Sequence, residues 1–234
     1  MKALKILSNI LLSERCPICG ELSLYSRTKV LCETCTDLLL SNNISNAANC
    51  CNQCGIPLIS GTERCLQCRN KEINYIANRS LFRYQGEIKE LIYQYKFKGQ
   101  KNYSLLFAKL IFEYTLRNNL TDVIVPVPGR KIVKRDQGWE HVDLISQILS
   151  KKYKIPVIKL LKRRGKKAQK VLNIEKRALN LQNSIKIVKK IKSMPHSVIL
   201  LDDVFTTGTT INECAAILKH AGVKDVSSLT IAID

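Results

Sequence analysis

Long apolar runs are missing from this 234-residue chain. No stretch approaches the ~20 consecutive apolar residues that a helix needs to cross a bilayer, so no membrane span is predicted. A secretory leader is not expected either. Met1 to Ser13 is faintly apolar, but Lys5, Ser8 and Asn9 interrupt it, and Glu14-Arg15 before Cys16 makes a poor cleavage or lipid-attachment site. A short amphipathic helix packed on its own domain is expected there, in a cytoplasmic protein. Acids are scarce: 19 Asp and Glu stand against 38 Lys and Arg, a formal net charge of +19. Aromatic residues are few, and only Tyr153 lies near the most basic stretch, which argues against base-specific reading of a nucleic acid. Cysteine almost disappears after residue 70, leaving Cys214 inside a helix as a small buried hydrophobe.

The remaining composition, 45% hydrophobic and 24% charged, is that of a globular protein with a real core, in one domain or two. Its charge is uneven. Residues 151–192 hold sixteen Lys and Arg against the single acid Glu175, whereas residues 1–70 carry seven basic and five acidic residues. Such a field attracts polyanions, either nucleic acid or phosphorylated ligands, and sets salt dependence rather than fold. A solvated lysine-rich face is the plain alternative.

Eight of the nine cysteines before residue 70 form four Cys-x-x-Cys pairs: Cys16 with Cys19, Cys32 with Cys35, Cys51 with Cys54, and Cys65 with Cys68. Two intervening residues let a tight turn present both sulfurs to one ion, and two such knuckles close a tetrahedral structural zinc site. A disulfide framework does not suit a reducing compartment, and a redox Cys-x-x-Cys normally occurs once, within an α/β unit. Sequential pairing is the expectation, Cys16, Cys19, Cys32 and Cys35 in one site and Cys51, Cys54, Cys65 and Cys68 in the other. Interleaving is the alternative. Cys50 adjoins a ligand but has the wrong spacing. This stretch is too poor in apolar residues to fold by burial alone, so zinc is expected to supply its folding energy.

Past residue 71 the pattern becomes α/β. Strands are expected at 80–84, 122–125, 157–161, 197–201 and 228–233, and helices at 87–97, 103–116, 139–153 and 211–220. Strands alternating with helices predict a mostly parallel sheet flanked by helices, with ligands outside the strands' C-terminal ends. The domain expectation is therefore 1–70 for a double zinc ribbon and 71–234 for the α/β domain.

The most informative run is Asp202-Asp203-Val204-Phe205-Thr206-Thr207-Gly208-Thr209-Thr210, launched from the apolar Val198 to Leu201. A buried strand delivers two carboxylates to a hydroxyl-rich turn at a helix start. The acids can accept from vicinal ribose hydroxyls, and the backbone N–H groups of Thr206 to Thr210 can face a 5′-phosphate. Gly208 allows close backbone approach and the threonines add donors. Ordinary turn and N-cap chemistry explains any few of these residues, but not the set in this context.

This run resembles the 5-phosphoribosyl-1-pyrophosphate (PRPP) motif of type I phosphoribosyltransferases. The chain as a whole resembles the ComF family of competence-associated, phosphoribosyltransferase-like proteins, with its ComFC- and GntX-type members. The likeness rests on the order of its parts: the cysteine pairs, Tyr84-Gln85-Gly86, Tyr95 to Gly99, Val125-Pro126-Val127-Pro128, Gly138-Trp139-Glu140-His141, Gln169-Lys170, Arg177, Asn180 and the PRPP-type loop. The family block after Pro-Val-Pro usually reads close to Arg-Gly-Phe-Asn-Gln. Here it is Gln137-Gly138-Trp139-Glu140-His141, with the nearest upstream arginine at Arg135, so a grip on nucleotide or pyrophosphate by this block is in doubt. His141 reads equally as a surface helix residue.

The resemblance implies a type I phosphoribosyltransferase-like fold that binds PRPP with Mg²⁺ through Asp202, Asp203, Val204, Thr206, Thr207, Gly208, Thr209 and Thr210. Lys96, Arg130 and Arg135 are the candidates for pyrophosphate. It further implies a role in DNA uptake or processing, with single-stranded DNA and a helicase-like competence protein as partners. Nothing identifies an acceptor base. An active transferase acting on a nitrogenous acceptor is the competing reading.

Overall fold

The computed structural model describes residues 15–21, 30–45, 47, 49–59, 62–129, 139–163, 185–188 and 193–234. The expected N-terminal helix, Gln137, Gly138, Gln169, Lys170, Arg177, Asn180 and most of the basic 151–192 segment lie outside these residues.

A parallel four-stranded sheet organises the molecule. Its strands are β1 (Asn78–Arg83), β2 (Val123–Pro126), β5 (Ser197–Phe205) and β6 (Asp225–Ile233), in the order β1-β6-β5-β2. All three neighbouring pairs run parallel. Both faces of β5 and β6 are covered, so Val198 to Leu201 and Ile231 to Ile233 are continuous apolar stretches. Ile199, Leu201, Leu229 and Ile231 pack on one face, while Val198, Leu200, Val226 and Ile233 pack on the other. On the first face lie α3 (Gly86–Phe97), α4 (Tyr103–Arg117) and α5 (His141–Tyr153). In α3, Ile88, Leu91, Ile92 and Tyr95 recur at helical spacing and are all buried. α6 (Thr209–His220) covers the second face through Ile211, Cys214, Ala215 and Leu218. Cys214 is fully buried, as its place in the helix suggested.

The architecture expected from the sequence, a parallel sheet flanked by helices behind a small cysteine-rich region, is therefore observed. Several elements differ in their bounds. β6 begins at Asp225 rather than at 228, because Asp225, Val226 and Ser227 already pair with Ser197, Val198 and Ile199 of β5. β5 does not stop at Leu201 but continues to Phe205, because Asp202 and Val204 still pair with Thr230 and Ala232 of β6. The helix expected from Trp139 begins at His141, because the Glu140 side chain accepts from the Asp143 amide and acts as its N-cap. The strand expected at 157–161 is not formed: Val157 makes one bridge to Ile124. Instead β3 (Leu161–Arg163) pairs antiparallel with β4 (Ile185–Ile187).

The cysteine-rich region contributes two short helices, α1 (Glu33–Ser41) and α2 (Leu66–Arg69). Its halves take opposite faces of the sheet. Cys16, Cys32, Cys35 and Leu39 join the packing beneath α3 and α4, whereas Cys51, Cys54 and Cys68 join the packing on the α6 side. Contacts cross the compositional boundary at residue 70. The buried Gln53 donates from Nε2 to Tyr75 O at 2.8 Å, and Asn78 donates from Nδ2 to Cys54 O at 2.9 Å. Asn78 Oδ1 accepts from Ser228 Oγ, and Ser80 Oγ shares a 2.7 Å bond with Thr230 Oγ1. These buried polar groups are all satisfied, and they sew the second cysteine cluster to β1 and β6.

Candidate functional site

Each pair of knuckles brings four sulfurs together. The Cys16, Cys19, Cys32, Cys35 group and the Cys51, Cys54, Cys65, Cys68 group each hold their ligand atoms within 4.8 Å of one another. A zinc–sulfur bond of about 2.3 Å implies tetrahedral sulfur–sulfur edges of about 3.8 Å. Cys19 to Cys32 and Cys54 to Cys65 are each 3.7 Å apart. The quartets are sequential, not interleaved. Cys50 stands outside them, its thiol directed at Ala47 O.

The local geometry repeats. Cys16 N donates to Glu21 O as Cys51 N donates to Ile56 O, and the amides of Gly20 and Gly55 close the turns onto Cys16 O and Cys51 O. Gly55 has a φ of 77°, and a Cβ there would lie 2.7 Å from Asn78 O, so only glycine lets this knuckle sit against β1. Burial alone would raise the Cys16 and Cys51 thiols. Amides donated from Cys19 and Cys32, and from Cys54 and Cys65, outweigh it and bring each to about 6. Burial pushes Cys68 up to about 12 and raises Cys35 and Cys54 as well. Four thiolates cannot share one such pocket without a cation, so the donor set fits a divalent soft-ligand metal such as zinc.

The second site stands at the C-terminal end of β5. Asp202, Asp203 and Val204 are strand residues, Thr206 to Gly208 form the turn, and Thr209 and Thr210 open α6. Gly208 is the N-cap, with a φ of 73°. A Cβ on it would stand 2.6 Å from Phe205 Cζ and 3.2 Å from the Tyr75 hydroxyl. Because α6 starts at Thr209, its first N–H groups have no intrahelical acceptor and carry the helix's partial positive charge. Thr207 Oγ1 lies 2.8 Å from Thr209 Oγ1.

The two acids differ. Asp203 Oδ1 accepts from the Val204 amide at 2.7 Å and pairs with Lys96 Nζ at 2.8 Å. Asp202 Oδ1 accepts from the Asp203 amide at 2.9 Å. Burial, reinforced by the charge of Asp203, pushes the Asp202 carboxyl up to about 8. The residue as a whole is half-buried. Lys96, the described one of the three pyrophosphate candidates, has its ammonium on Asp203. Arg130 and Arg135 lie outside the described residues.

Sequence reasoning missed a third acid and the frame that holds Lys96. Glu140 caps α5, and a Cβ on Gly129 would come within 2.4 Å of its Oε1. Burial, with the charges of Asp143 and Asp203, raises Glu140 to about 7. His141 is buried, not a surface residue. Its Nε2 lies 3.1 Å from Lys96 O, a carbonyl that can only accept, so this nitrogen carries the hydrogen. Tyr95 donates its hydroxyl to His141 O at 2.7 Å, and Tyr95, Trp139 and His141 pack ring against ring with centroids 4.8–5.3 Å apart. This cluster pins the end of α3 to the start of α5 and so aims Lys96. The available signal was the aromatic and polar character of Trp139-Glu140-His141. What it lacked was the partner, Tyr95, 46 residues from His141.

The turn is also held from the cysteine side. Lys71 Nζ donates to Thr207 O at 3.3 Å, Asn212 Nδ2 donates to Glu72 O at 3.1 Å, and the Asn74 amide donates to Asn212 Oδ1 at 2.6 Å. Tyr75 meets Phe205 edge-on at 6.3 Å. Between this segment and the turn lies a cavity of about 780 Å³, bordered by Arg64, Leu66, Lys71, Tyr75, Phe205 and Thr207. Among the described residues, the groups whose ligand atoms come close enough for one ion are the two cysteine quartets. A magnesium ion at the acids would therefore rely on oxygens of the ligand.

No protein-family model matches the chain. It is similar to competence protein F of Haemophilus influenzae, 29% identical over 185 residues that span 75% of this chain and 81% of that protein. Competence protein ComFC of Streptococcus pneumoniae is 24% identical over 235 residues, 93% of this chain and 99% of the relative. The DNA utilization protein YhgH of Escherichia coli K12 is 26% identical over 184 residues, 75% and 80% of the two chains. A solved hypoxanthine phosphoribosyltransferase from Staphylococcus aureus aligns with a TM-score of 0.31 and 11% identity, over 56% of this chain and 63% of its own. The chain is thus a homologue of proteins named ComF, ComFC and YhgH.

Proposed function

We propose that this is a ComF-type protein that binds PRPP, or another ribose 5-phosphate group, on the segment Asp202 to Thr210, and acts in DNA uptake or processing while holding single-stranded DNA. One observation carries the ligand reading: two carboxylates and the opening turn of α6 stand at one strand end, on either side of a glycine with no room for a side chain. In this reading Asp202 and Asp203 accept from the ribose hydroxyls, and the amides of Thr206 to Thr210 receive the 5′-phosphate. Mg²⁺ arrives with the pyrophosphate oxygens, and Lys96 sits beside the leaving charge. Residues 1–70 are a double zinc ribbon with one Zn²⁺ in each quartet, and residues 71–234 are a type I phosphoribosyltransferase-like domain. The competence role is supported by the names of the relatives.

A second reading, active phosphoribosyl transfer, draws on the cavity that borders the turn from Phe205 to Thr209 and has room for an acceptor. In that reaction the C1′–O bond to pyrophosphate breaks as a C1′–N bond forms, and the acceptor nitrogen loses its proton. The site's task is to hold the reactants together and exclude water.

Calorimetry with PRPP–Mg²⁺ tests the site. The wild type is expected to bind, and the double variant Asp202→Asn, Asp203→Asn to lose binding while keeping its far-UV circular dichroism. Equal affinity in the two proteins would refute the assignment. Repeating the titration with a panel of bases and following pyrophosphate release separates the second reading from the first.

A further inference from the structure

The aromatic ledge on α3 has no part in the ligand site, yet it borders it. Tyr93 and Phe97 sit four residues apart on the helix, 42% and 60% exposed, with ring centroids 5.2 Å apart. Their planes are inclined at 43°, so the pair makes an angled apolar step on the surface. One cation lies on it: Lys98 Nζ is 6.0 Å from the centroid of the Tyr93 ring. Lys89 and Lys101 face other rings, Tyr84 and Trp139. The helix's acids, Glu87 and Glu90, lie toward its N-terminal half, so the C-terminal half carries the positive charge. Lys96, one residue from Phe97, is the ammonium that meets Asp203.

Tyr153, the single aromatic near the basic stretch, is not available for such work: it stacks on Phe112 with centroids 4.3 Å apart and planes inclined at 19°. We propose that Tyr93 and Phe97, with Lys98, form the base-stacking platform of this protein for single-stranded nucleic acid, with the bases on the rings and a phosphate on the Lys98 ammonium. The ammonium chooses a polyanion, and the exposed rings choose one whose bases are unpaired, since a duplex keeps its π-faces covered. Stacking on aromatic faces is tolerant of sequence, which agrees with the absence of any base-reading motif. This inference rests on the single-strand reading above.

The test is fluorescence anisotropy with a labelled 20-residue oligothymidylate at two salt concentrations. Alanine at Phe97 or Tyr93 is expected to weaken binding about ten-fold with the salt slope kept, as the stacking contribution of one base requires. Phe97→Trp should restore it. Lys98→Ala should instead flatten the slope by about one ion. Lys109→Ala, on α4, serves as the control and should leave affinity unchanged. Wild-type binding that survives both aromatic substitutions within two-fold overturns the platform and leaves the single-strand reading intact. No wild-type binding at low salt removes that reading, and the platform with it. If Phe97→Ala instead abolishes a dimer in sedimentation while oligothymidylate binding persists, the ledge belongs to a second copy of the chain and the proposal fails.

Discussion

Asp202 carries a cost that its function would explain. Its ordinary carboxyl value is 3.8, and burial beside Asp203 raises it to about 8 in the folded chain. Between those values the folded protein holds a proton that the unfolded chain has already released. Stability therefore falls as pH rises from about 4 toward 8, the reverse of a salt-bridged acid. Asn at this position can still accept from the Asp203 amide and carries no charge to bury. Asp202→Asn is expected to come closest to the wild type below pH 4 and to become the more stable protein as pH rises, by at most about 5 kcal/mol near pH 8, measured by urea unfolding at each pH. A variant destabilised equally at both would show that Asp202 is not strained. The sequence made the two acids visible as a pair. Their unequal environments were not legible, because the Lys96 ammonium that balances Asp203 comes from another helix.

Among the elements, the turn between β5 and α6 was the most legible and the loop regions around it the least. The Asp-Asp to Thr-Thr run predicts strand, turn and helix from local chemistry alone, and each is present. The end of β5 was misjudged because apolar character stops at Leu201 while ladder pairing continues to Phe205. β3 was missed for a related reason: its partner β4 begins 24 residues after β3 starts, and three-residue strands carry little periodicity. At Gly208, conformation and contact act together. Gly208→Ala must tolerate a φ of 73° and push against the Phe205 ring. It is expected to cost about 1–3 kcal/mol of stability and to weaken ribose 5-phosphate binding further, because the amides it orients are the proposed phosphate donors. Calorimetry beside thermal unfolding separates the two effects, and unchanged affinity in a folded variant would count against those amides.

For the molecule as a whole, the cysteine region is more than a preceding module. Spacing made both quartets legible, down to their sequential pairing. It could not reveal that they pack on opposite faces of the sheet, or that Gln53 and Asn78 tie the second quartet to β1. The residues just after it, Lys71, Glu72 and Asn74, bond to the 206–208 turn and the start of α6. Two bound zinc ions are therefore expected per chain, and one after Cys51→Ser with Cys54→Ser, by metal assay of the purified protein. Strong chelation should strip hydrogen-exchange protection from β1 and the 205–210 turn, whereas loss confined to residues 1–70 would show that the seam is not structural. Acid should release the metal too, since each ligand must be a thiolate. No helix of the described residues is long and apolar enough to cross a membrane.

The most direct measurement is a crystal structure after soaking with PRPP and Mg²⁺. The account predicts the 5′-phosphate within about 3 Å of the amides between Thr206 and Thr210, and the ribose hydroxyls on Asp202 and Asp203. Density for the ligand elsewhere, or a turn whose own side chains fill that space while PRPP remains in solution, would contradict it.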